Sequence, residues 1–66
     1  MTCRAEVYQL DTMELVDHLG EFDSQNDARI ICSRHARQTL DWRLQHPGLW
    51  ESQGESHWYR VVVQRL

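Results

Sequence analysis

Cys32 and His35 stand three residues apart in the run Ala28-Arg29-Ile30-Ile31-Cys32-Ser33-Arg34-His35. On a helix that spacing lets two side chains grip one metal ion, and Cys3 with His18 would have to complete a tetrahedral zinc site. Distance argues against it. If Cys3 and His18 share a hairpin in which His18 lies opposite Val7, four residues separate them along the strands, roughly 13 Å at about 3.3 Å per residue. A zinc ion holds its ligands at roughly 2.0–2.3 Å and cannot take both.

The same two residues would serve an enzyme as nucleophile and base, but both fall on the apolar stripe of the helix, where a thiol is normally inert. No Gly-rich phosphate loop, Gly-x-Ser-x-Gly turn or apolar pocket with paired carboxylates is visible. The expectation is a non-enzyme with no catalytic residue, cofactor or metal, in which Cys32 and His35 are buried against a sheet. Without a signal-peptide core at the amino terminus, Cys3 and Cys32 read as reduced thiols of a cytoplasmic protein, not a disulfide.

The seven basic residues are all Arg, and the formal net charge is −3. An Arg-only set fits planar, two-pronged contacts to carboxylate or phosphate, and it also fits a GC-rich bacterial genome or a phage or mobile element living in one. A nucleic-acid reader using Arg4 and Arg60 on a sheet face is the alternative function. It stands second because Glu6, Asp17, Glu21 and Glu51 share the same strands, and phosphate binding draws its affinity from a positive surface.

Trp42, Trp50 and Trp58 give the strongest signal, because one helix on one sheet face cannot bury all three together with Tyr8 and Tyr59. The surplus implies a second surface that a protein partner, another chain or a second copy of this one, would cover. Tyr8, Leu10, Leu15, Leu19, Trp50, Trp58 and Arg60 are the candidate partner-binding residues. Membrane contact is not expected, since the longest strictly apolar run is Val61-Val62-Val63.

The elements that must position these residues follow from periodicity. Cys3 to Leu10 alternates, Asp11 to Glu14 interrupts, and Leu15 to Phe22 resumes extended character, which reads as a hairpin turning about Thr12-Met13. That register pairs Leu10 with Leu15, Tyr8 with Asp17, Val7 with His18, Ala5 with Gly20 and Arg4 with Glu21. It also puts Ala5, Val7, Val16, Gly20 and Phe22 on one apolar face and Tyr8, Leu10, Leu15 and Leu19 on the other.

Asp23-Ser24 caps a helix running to about Asp41, with Ala28, Ile31, Cys32, His35, Thr39 and Trp42 as its stripe and Arg37 paired with Asp41. His46-Pro47-Gly48 reverses the chain. Leu49 to Ser52 and His57 to Leu66 then form a second hairpin about Gln53-Gly54. The expected architecture is one α+β domain over residues 1–66, ββαββ, with a four-stranded antiparallel sheet and one helix on one face. A sixty-six-residue chain has room for only one core.

Overall fold

The computed structural model describes residues 2–64. Strands β1 (Thr2–Gln9) and β2 (Leu15–Phe22) form the first hairpin, followed by helix α1 (Gln25–Ala36) and strands β3 (Arg43–His46), β4 (Leu49–Gln53) and β5 (His57–Gln64). All pairings are antiparallel in one sheet ordered β2-β1-β5-β4-β3. The fold is therefore the expected small α+β type, but with five strands instead of four. No helix among the described residues is long and apolar enough to cross a membrane.

The fifth strand comes from residues expected to lie in or just after the helix. The helix starts where capping chemistry puts it, with the Ser24 hydroxyl accepting from the Asp27 amide at 3.1 Å. It stops at Ala36, because Arg37 takes a left-handed conformation (φ 57). The amides of Arg37 and Gln38 then turn back to the carbonyls of Arg34 and Ser33. This is a Schellman closure, which satisfies carbonyls that the helix end would otherwise leave open. Released from the helix, the chain runs extended and adds Arg43–His46 to the edge of the sheet. Thr39 is consequently exposed, while Leu40 is buried and Trp42 packs against the core from the linking segment.

The core lies between α1 and one sheet face. Cys3, Ala5 and Val7 of β1 and Tyr59 and Val61 of β5 meet Ala28 and Cys32 of α1 and Leu40 of the linker. The alternation of β1 survives intact, since every second residue from Cys3 to Val7 is fully buried. Gly54, in the β4–β5 loop, is buried under the Tyr59 ring. A Cβ there would sit 3.1 Å from Tyr59 Cε2, so any larger residue would require the ring to give by a few tenths of an ångström.

The first hairpin follows the expected register only at its open end, where Arg4 pairs with Glu21 and Ala5 with Gly20. Two irregularities follow, so Glu6 faces His18, Val7 faces Asp17 and Tyr8 faces Leu15. The cause is the turn. Gln9 and Glu14 close a four-residue loop through the Gln9 amide and the Glu14 carbonyl at 2.9 Å, and Met13 at φ 58 completes it. The loop has the expected length but closes one residue earlier in the chain, which leaves Val16 and Leu19 as extra residues in β2 that bulges take up. Val16 is thereby 51% exposed instead of in the core, while Leu19 packs against the core.

Candidate functional site

Residues directly opposite in antiparallel strands share a face, so the registers set out the sheet surface away from α1 row by row. One row reads Leu15, Tyr8, Trp58 and Gln53 across β2, β1, β5 and β4. The next crosses all five strands as His18, Glu6, Arg60, Glu51 and Arg43. A third carries Glu21, Arg4, Val62 and Leu49. The middle row alternates carboxylate and guanidinium from Glu6 to Arg43, with aromatic rings on one side and aliphatic side chains on the other.

The side chains of these rows lock together. Glu51 Oε2 accepts from Arg60 Nε at 3.0 Å and Nη2 at 2.7 Å, and from Trp58 Nε1 at 3.4 Å. Glu6 accepts from the Tyr8 hydroxyl at 2.8 Å through one oxygen. Its other oxygen lies 3.0 Å from Arg4 Nε, an ion pair by distance that lacks the alignment of a hydrogen bond. The Arg60 guanidinium stands over the Tyr8 ring, 5.1 Å from its centroid, and joins the two halves.

Burial alone would lower the Arg60 pKa, but hydrogen bonds and charge from Glu51, with Tyr8 and Glu6 behind, raise it. Burial, followed by the hydrogen bond and charge of Glu6, pushes the Tyr8 phenol up. Arg60 therefore stays charged and Tyr8 neutral at physiological pH. Glu6 is only 9% exposed although no element among the described residues covers this face, because Arg4, Tyr8 and Arg60 close over it.

Of the seven residues expected at a partner surface, the structure gathers Tyr8, Leu15, Trp58 and Arg60 on this face. Leu10 lies half-buried in the β1–β2 loop. Leu19 and Trp50 lie on the other side, against the core. Trp50 pairs with the buried Val61, takes the Arg29 guanidinium 4.4 Å from its ring centroid, and donates to Gln25 Oε1. Glu6 and Glu51, which hold the aromatic and arginine side chains in place, entered the sequence reading only as acids that share strands with Arg4 and Arg60. The signal was the alternation that sets both opposite arginines, but Glu51 meets Arg60 only when the β4–β5 loop is longer than the turn about Gln53-Gly54 allows.

Cys32 and His35 do not converge. Cys32 is fully buried, and burial pushes its thiol up to about 12, so it is protonated and unreactive in the folded chain. His35, expected to be buried, is exposed. It lies in the last turn of α1, where Nδ1 meets the hydroxyl of buried Tyr59 at 2.8 Å and the ring packs edge-on against His57. Among the described residues no three His, Cys, Asp or Glu side chains are grouped to hold a metal ion. No family model, curated protein or solved structure matches the chain, so its reading rests on this geometry.

Proposed function

We propose that this chain is a non-enzymatic protein-binding module whose contact surface is the open sheet face around Tyr8, Leu15, Trp58 and Arg60. The observation that supports it is the locked row of Glu6, Arg60 and Glu51 beside two aromatic side chains. Side chains held before a partner arrives lose little freedom on binding, and Trp, Tyr and Arg dominate interface hot spots. Leu15, 57% exposed, and half-buried Leu49 and Val62 supply apolar area at the margins.

A protein partner fits better than nucleic acid. Arg4 and Arg60 each face a carboxylate within 3.0 Å, so the face alternates in charge instead of presenting a positive field to phosphate. The Arg-only basic set fits a GC-rich bacterium or an accessory protein of a phage or mobile element in one, and the free thiols of Cys3 and Cys32 fit the cytoplasm.

The test is affinity capture from the native host followed by titration of the purified partner. Trp58→Ala and Tyr8→Ala should each weaken binding by about tenfold or more while leaving the far-UV spectrum unchanged. A partner bound equally well by both variants refutes the assignment of the face. Salt-sensitive retention on duplex DNA that Arg60→Ala abolishes would replace the protein-binding reading with the nucleic-acid one.

A further inference from the structure

The large hydrophobic residues exposed among the described residues fall at two places. Met13, Leu15 and Val16 lie at the turn end of the β1–β2 hairpin, and Ile30 and Leu44 lie on α1 and β3. Their charged neighbours have opposite signs. Between Asp11 and Asp23 stand Asp11, Glu14, Asp17, Glu21 and Asp23 with no basic residue, whereas residues 29–43 carry Arg29, Arg34, Arg37 and Arg43 against the single acid Asp41.

The basic side contains a cleft of about 450 Å³ between α1 and the linker to β3, with Ile30, Leu40 and Trp42 as its apolar wall. Arg29 and Arg34 line it, no carboxylate does, and neither arginine forms an ion pair among the described residues. Arg29 is held in place by the Trp50 ring, and its Nε is buried without an acceptor. A guanidinium fixed in this way beside an apolar wall suits a ligand that is both acidic and apolar.

We infer that the hairpin end of one molecule, Met13 to Asp17, seats in the Arg29–Arg34–Trp42 cleft of a second copy of this chain. The occupant is chosen by complementarity: Met13, Leu15 and Val16 match the apolar wall, and Glu14 and Asp17 match the arginines. Within one molecule none of the exposed hairpin residues lines the cleft, whose wall comes from α1 and the linker alone. The contact joins two different surfaces, so it closes as a two-fold dimer where both hairpins seat reciprocally, and otherwise continues head to tail into a ring or a chain. Bulges in β2 discourage a long backbone ladder, which leaves the contact to side chains.

Sedimentation velocity on the intact chain, from micromolar to millimolar concentration, tests this. The mean mass should rise above that of the monomer with concentration and fall with added salt. Arg34→Glu reverses the basic side of the cleft, and Glu14→Arg with Asp17→Arg reverses the acidic side. All three positions are exposed, so both variants should keep the wild-type circular dichroism. Each alone should associate at least about tenfold more weakly, because like charges then face each other.

An equimolar mixture should regain association, since each variant supplies the intact side that the other lacks. A wild-type chain that stays monomeric at millimolar concentration overturns the inference, as does association that both reversed variants retain or a mixture that fails to recover. Trp58→Ala should leave this assembly unchanged, which separates it from the open-face contact. An acidic peptide from another protein that fills the cleft while the chain itself stays monomeric would also overturn it.

Discussion

Arg37→Gly should make the protein more stable. Arg37 closes α1 in the left-handed region, where a side chain's Cβ crowds the following carbonyl oxygen at a cost of about 1–2 kcal/mol. Glycine removes that cost but has more freedom to lose on folding, which returns about 0.5–1 kcal/mol. The net gain is about 0.5–1 kcal/mol. The lost side chain subtracts little: Arg37 is exposed, and the ion pair with Asp41 expected from a longer helix is not formed, since Asp41 lies beyond the helix end. In a domain this small, 1 kcal/mol moves the thermal midpoint by about 4–8 °C, so the variant should melt about 2–8 °C higher.

Urea titration with an unchanged slope would show that the gain is stability and not a change in compactness. Arg37→Ala is the control. Alanine keeps the Cβ and hence the strain, so it should stay within about 0.5 kcal/mol of wild type. If glycine and alanine behave alike, or glycine destabilises, the left-handed closure is not what limits this helix end.

Ile31 packs against the core and Ile30 is exposed, so Ile31→Ala should lower the urea midpoint clearly more than Ile30→Ala. Because Ile31 is only half-buried, its cost should fall at or below the low end of the roughly 2–5 kcal/mol range for such truncations. Equal losses would contradict the placement of the helix stripe. Burial raises the Cys32 thiol to about 12, and Cys3, Tyr8 and Tyr59 are raised too, so the folded chain holds these protons longer than the unfolded one. Stability from this source is complete below the ordinary thiol value of 9.0 and is lost as pH rises toward 12. Urea midpoints at neutral and strongly alkaline pH should show the fall, and Cys32→Ala should flatten it; a pH-independent midpoint would mean the thiol is accessible.

Local chemistry was enough to read several parts of this protein from its sequence. Alternation marked β1, with Cys3, Ala5 and Val7 inward, because a strand's side chains must point to opposite faces whatever surrounds them. Ser24 marked the helix start, because its hydroxyl satisfies an amide three residues away. Tyr8, Trp58 and Arg60, drawn from the surplus of aromatic and arginine side chains, share the sheet face away from α1.

What sequence could not decide depended on backbone conformations that several residue types can adopt, and on contacts between distant segments. Arg37 and Met13 occupy left-handed positions that composition assigns to glycine, so the helix end, the extra strand and the first loop were all misjudged. The loop then controlled the β2 register, exposing Val16 and turning Leu19 inward, because one residue of slip exchanges the two faces of a strand. The pairing of Glu51 with Arg60 and the face of Trp50 depended in the same way on how the sheet closed. The Arg29–Arg34–Trp42 cleft exists only because the linker folds back beside α1, a long-range contact that no local pattern encodes.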